Sequence, residues 1–119
     1  MDSPFKYVQL QTQDREKAKT FYKELFGWTL DERQTPVGPY VEVFSGQDKI
    51  AGIVAHPDSS APSSWVPYIN VTDMKTVVER ARTLGATVVQ GPTQLPDKSW
   101  FSLIIDSAGA KFGLHQSTA

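Results

Sequence analysis

A repeat constrains this fold more than any single motif does, because a chain that runs through one plan twice builds two like modules. Lys6 to Thr12 alternates, with Val8 and Leu10 on one side and Tyr7, Gln9 and Gln11 on the other, the period of a half-buried strand. Asp14 then suits a helix N-cap, Ala18, Phe21, Tyr22 and Leu25 recur at helical spacing, and Gly27 is a helix stop. Trp28 to Asp31 opens a strand, Pro36, Gly38 and Pro39 interrupt the chain, and Tyr40–Phe44 and Lys49–Ala55 read as two more strands. The plan restarts at Trp65–Val71, a strand carrying Pro67, followed by Asp73 as cap, a helix with Val77, Val78, Ala81 and Leu84, and Gly85 as stop. Ala86–Gln90, Trp100–Ile105 and Lys111–Gln116 complete it, with a loop from Gly91-Pro92 to Lys98. Each half therefore reads strand, helix, strand, strand, strand. One helix covers one face of such a sheet and leaves the other in need of a partner.

The segment 57–64, rich in serine and proline and poor in apolar residues, is the linker between modules 5–56 and 65–117 of a single domain, 1–119. Hydrophobic residues at 39% and aromatics at 11% place the chain outside the disordered regime. The net charge of -1, with no basic cluster, offers nothing to a phosphate backbone, so no nucleic-acid partner is expected. With no cysteine there is no disulfide, thiolate nucleophile or Cys-ligated metal, and a cytoplasmic location is the expectation. MDSPFKYVQL has no cationic start followed by an apolar run, and no stretch approaches the roughly 20 apolar residues of a membrane span. No Gly-x-Ser-x-Gly surrounds Ser63, Ser64 or Ser102, and the first strand leads into Gln13-Asp14-Arg15-Glu16 rather than a phosphate loop.

Three stretches carry a family resemblance: FYKELFGW at the first helix end, WVPYINVTD opening the second half, and DSAGAKFGLHQ at the close. Over roughly residues 5 to 117 the chain resembles the vicinal oxygen chelate superfamily, also called the glyoxalase, bleomycin-resistance and dioxygenase superfamily. The resemblance implies an α+β fold in which two βαβββ modules curl mixed sheets into a cleft, with the helices outside. It makes Phe21, Leu25 and Phe26 helix residues seated on the sheet, with Tyr22 at home there or at an interface. It also implies a homodimer. Family enzymes carry four metal ligands on cleft-facing strands. Carried over, these fall on Tyr7, near Gly52, on Val66 and on Gly113. Valine and glycine offer no donor atom, so no metal and no cofactor are expected.

Without a metal, the resemblance and the strand alternation together imply a cleft that binds a small aromatic or amphipathic organic molecule. Alternation puts Tyr7, Gln9 and Gln11 with Val66, Tyr68 and Asn70, and adds Tyr40, Glu42, Trp100, Ser102, Lys111 and His115 by the same rule. The expected ligand contacts are Tyr7, Gln9, Tyr68, Asn70, Trp100 and His115, with Trp100→Ala and Tyr68→Ala each weakening binding by about 1–3 kcal/mol in an intact fold. The same residues have plain structural roles open to them: Tyr40, Trp65 and Trp100 as filling, Gln9, Gln11 and Asn70 as partners of one another. The alternative function is a lyase or isomerase acting without the metal quartet, with His115 or Glu42 as acid or base.

Overall fold

The computed structural model describes residues 3–35 and 38–118. The elements are β1 (Phe5–Thr12), α1 (Arg15–Phe26), β2 (Thr29–Thr35), β3 (Gly38–Ser45), β4 (Asp48–Ala55), β5 (Ser64–Asn70), α2 (Met74–Thr83), β6 (Thr87–Gln94), β7 (Trp100–Ile105) and β8 (Lys111–Gln116). This is βαβββ twice, as the repeat predicts. The break expected at Pro36 lies outside the described residues, and Gly38 and Pro39 begin β3. The chain divides into two compact units, residues 7–66 and residues 3–6 with 67–118. The first residues of β1 group with the second unit, where the Pro4 carbonyl accepts from the Asn70 amide at 2.8 Å.

In the unit 7–66 the strands run β2-β3-β4-β1, with β1 and β4 parallel and the other pairs antiparallel. Leu10, Val41, Val43, Ala51 and Ile53 form the core, and Ala18 and Tyr22 of α1 pack against it. Asp14 caps α1 by accepting from the Lys17 amide at 3.0 Å, and Gly27, in the left-handed region at φ 70, returns its N–H to the Lys23 carbonyl. That conformation is why glycine stands there.

The helix is not seated as the resemblance implies. Phe21, Leu25 and Phe26 are each 57% exposed, and no residue of α1 is fully buried. Tyr22 is the anchor instead. Its ring stacks on Trp28 at 5.7 Å and meets the edge of Trp65 at 5.4 Å, while its hydroxyl accepts from Trp65 Nε1 at 3.3 Å. Two indoles hold the tyrosine, and that fixes the helix rotation and turns Phe21 outward.

In the other unit the order is β5-β8-β7-β6, with β5 and β8 parallel. Val71, Met74, Val78, Ile104 and Leu114 form its core, with Ile69, Val88, Trp100 and Phe112 packed around them. Asp73 caps α2 through the Thr76 amide and hydroxyl, and Gln116 accepts from the Met74 amide at 2.7 Å. Strand β6 continues to Gln94, through the Gly91-Pro92 expected to open a loop. It pairs with β7 through register shifts on either side of Gln90, and such bulges accommodate a residue that lacks an N–H. Among the described residues no helix is long and apolar enough to cross a membrane.

Candidate ligand site

Each unit has a sheet face turned away from its helix, and the two faces are taken in turn. In the unit 7–66, Leu10, Val41, Val43 and Ile53 point to α1, so Gln9, Gln11, Tyr40, Glu42 and Gly52 point the other way. Gly52 stands in register with Gln9 on one side and Glu42 on the other. Its missing side chain is replaced by a neighbour: a Cβ built there would collide with the Tyr40 hydroxyl and lie 2.5 Å from Cζ. Gln11, only 2% exposed, donates its amide to Gln9 Oε1 at 3.2 Å, and Gln9 bonds the Tyr40 oxygen.

Burial pushes the Tyr40 phenol up to about 12, the charge of Glu42 adds to this, and the bond from Gln9 opposes it. A phenol harder to ionise when folded contributes stability that is complete below its unfolded value of 10.0 and is lost as pH rises toward about 12. Denaturant titrations between those limits are expected to show falling stability in the wild type and a shallower fall in Tyr40→Phe. Equal slopes would mean the ring is not held as described.

Glu42 is no free base. Its Oε1 accepts from Arg33 Nε at 2.6 Å, and its Oε2 meets Lys49 Nζ at 2.6 Å. The Lys49 contact foremost, then Arg33, holds its carboxyl below the usual carboxylate range. A carboxylate with both oxygens on cations does not take up a proton near pH 7, which removes Glu42 as the acid–base candidate.

In the second unit the same device recurs. Tyr68 stands in register with Gly113, and a Cβ at Gly113 would lie 2.5 Å from Tyr68 Cδ2 and 2.6 Å from Cζ. Tyr68 itself is 2% exposed. Asn70 stands in register with His115, and Phe101 with His115 from the other side. Asn70 Oδ1 is buried with no hydrogen-bond partner among the described residues.

Trp100 is not on this face. It packs with the Met74, Val78 and Ile104 core on the α2 side, as does Ser102, whose hydroxyl sits 3.3 Å from Met74 Sδ. Phe101 and Leu103 take the positions expected for them, in register with His115 and Gly113. WFSLII is apolar at nearly every position, so alternation gave no parity to read.

Asp97 was not singled out in the sequence. It accepts from the Ser99 hydroxyl and from the Ser99 amide at 2.9 Å, and these bonds, with the nearby charge of His115, hold its carboxyl below the usual range. The Asp-Lys-Ser turn is a readable Asx signal, but its approach to His115 is a tertiary fact. A groove of about 540 Å³, lined by Glu16, Lys19, Lys23, Trp28 and Leu30 among others, shares no residue with these candidates.

The metal positions that the resemblance implies do not fit a metal. Val66 is buried and apolar, Gly52 and Gly113 lie under tyrosine rings, and no group of three or more His, Cys, Asp or Glu is disposed around a common point among the described residues.

Residues 5–114 match the family described as Glyoxalase/Bleomycin resistance protein/Dioxygenase superfamily. CFP32 of Mycobacterium bovis, by name a candidate glyoxylase, is 34% identical over 116 residues, which cover 93% of this chain and 44% of that protein. DnrV of Streptomyces peucetius, named as an anthracycline biosynthesis protein, is 24% identical over 91% of this chain and 45% of its own length. The chain thus spans less than half the length of the curated relatives it matches. Methylmalonyl-CoA epimerase from Mycobacterium tuberculosis superposes with a TM-score of 0.68 at 16% identity, over 98% of this chain and 89% of that one. At that identity the likeness is one of fold.

Proposed function

The chain belongs to the glyoxalase, bleomycin resistance protein and dioxygenase superfamily, and from that premise we propose that it binds a small aromatic or amphipathic organic molecule without a metal. The observation that carries the reading is the pair of tyrosines over glycines: where the family resemblance implies ligand side chains, Tyr40 and Tyr68 lay aromatic rings instead. Aromatic surface with a few amides beside it suits a flat organic molecule. On the sheet face of the unit 7–66 that turns from its helix the proposed contacts are Tyr7, Gln9 and Tyr40, and on the corresponding face of the other unit they are Asn70 and His115. Tyr68, 2% exposed with its ring over Gly113, fills its face rather than contacting the ligand. In a thermal-shift screen of small aromatic and carbonyl compounds, a binder is expected whose effect is unchanged by EDTA. Binding that vanishes with chelator and returns with a divalent ion would sink the reading.

A second reading, a lyase or isomerase, rests on His115 with Asp97 near it. An imidazole with a carboxylate within electrostatic reach is a pair of groups suited to moving a proton. The relative named as a glyoxylase is consistent with such chemistry. If the reading holds, His115→Asn abolishes turnover of the bound compound while its affinity stays within about twofold of wild type. Turnover that survives the substitution ends the enzymatic reading.

A further inference from the structure

We propose that the outer face of α1 is a self-association surface, on which a second copy of this chain lays its own α1 antiparallel, across a two-fold axis beside Phe21. The surface shares no residue with the ligand contacts above. Phe21 and Leu25 are each 57% exposed, while Ala18 and Tyr22 of the same helix pack on the core of the unit 7–66. The helix therefore has apolar groups on two sides, and its sheet covers one of them. The repeat supplies a comparison. In α2, Met74 and Val78 are buried, with Val77 and Ala81 packed beside them. It is α1 whose ring and leucine have no core to enter, because Trp28 and Trp65 hold Tyr22 and fix the rotation.

The charges around this stripe say what covers it. Phe21 and Leu25 stand one turn apart, with Lys17 one turn before them and Glu24 beside Leu25. Lys17 and Glu24 are both exposed, and among the described residues neither forms an ion pair. On another flank of the helix, by contrast, Lys19 is shared between Glu16 at 3.0 Å and Glu32 at 3.1 Å. The stripe is thus basic at its start, apolar in the middle and acidic at its end.

That order is complementary to itself. The midpoint between Lys17 and Glu24 falls beside Phe21, so an antiparallel pair brings the two Phe21 rings together and sets each Lys17 against the partner's Glu24. A parallel pair would set lysine on lysine and glutamate on glutamate. The helix dipoles favour the antiparallel arrangement as well. Phe21 and Leu25 bury roughly 200 Å² per copy in this way, well below the about 800 Å² per partner of a standard interface. The contact therefore belongs to the small, dissociable class.

Sedimentation equilibrium of the full chain at low ionic strength, up to about 1 mM, is the measurement suited to a contact of this size. The wild type is expected to form a dissociable dimer, and Phe21→Ser to abolish it. Lys17→Glu sets carboxylate against carboxylate in both pairs, and Glu24→Lys sets ammonium against ammonium. Each is expected to weaken the dimer about tenfold. Both substitutions suit the helix, an acid in its first turn and a base in its last, so the fold is expected to hold. The decisive sample is an equimolar mixture of the two charge variants. Every pair between unlike copies again joins an acid to a base, and a mixed dimer is expected within about twofold of wild-type affinity. A wild type that stays monomeric at about 1 mM overturns the proposal. So does association that survives Phe21→Ser or either single charge change, and so does a mixture that fails to recover it.

Discussion

Tyr68→Ala is expected to lower the stability of the protein by about 3–5 kcal/mol, the range for deleting a buried aromatic ring. The residue is 2% exposed, and its ring rests on the backbone of β8 at Gly113, where nothing else can follow it into the space. A glycine leaves a hollow only while the ring fills it. Without the ring, the strand is left beside a cavity that the backbone cannot close, because β5 and β8 are paired in register through Tyr68–Gly113, Ile69–Leu114 and Asn70–His115. A domain of this size has roughly 5–15 kcal/mol in total, so the variant is expected to lose much of its margin. Urea denaturation gives the test: the midpoint falls with little change in slope. A loss under about 1 kcal/mol would return Tyr68 to the role of an exposed ligand contact, the role alternation gave it.

The contrast shows which parts of this molecule are written locally in the sequence. Helix ends are: Asp14, Asp73 and Gly27 act through partners three or four residues away, and a reader of the sequence sees both members of each contact. Strand parity in β1 is also legible, because its apolar and polar residues alternate and a register slip would turn Leu10 away from the core. In β7 the same rule fails, since Trp100, Phe101, Leu103, Ile104 and Ile105 are all suited to burial. What turns Trp100 toward α2 is the company of Met74 and Val78, residues from another element. The rotation of α1 is set likewise by Trp28 and Trp65, which are distant in sequence from Tyr22 or placed beyond the helix end. Alternation likewise gives the sheet faces of Gln9, Asn70 and His115, while the placement of Tyr40 over Gly52 and the influence of His115 on Asp97 depend on tertiary approach. Glycines inside strands were the available signal, because a strand glycine marks a place where another group comes close.

Gly113→Ala tests that signal directly, and its expected effect is a loss of about 1–3 kcal/mol by overpacking. The backbone at Gly113 does not require glycine, as its φ is not in the left-handed region, so the cost comes from space alone. The added methyl would meet ring carbons of Tyr68 on one edge, and that ring is buried and tightly packed. Gly52→Ala is the informative comparison. There the obstacle is the hydroxyl end of Tyr40, a half-buried side chain that can swing outward, so the expected loss is smaller. The sharper measurement is a double-mutant cycle. In the Tyr68→Ala background the methyl of Gly113→Ala enters vacated space, and removing a glycine restricts the unfolded chain. The second substitution is then expected to be neutral or to stabilise by about 0.4–1 kcal/mol. The two changes should therefore be coupled by about 1–4 kcal/mol, with the double variant more stable than the sum of the single effects implies. Strict additivity would mean that the ring and the glycine do not share one space, and the account of both tyrosines as occupants of glycine-made hollows would fall with it.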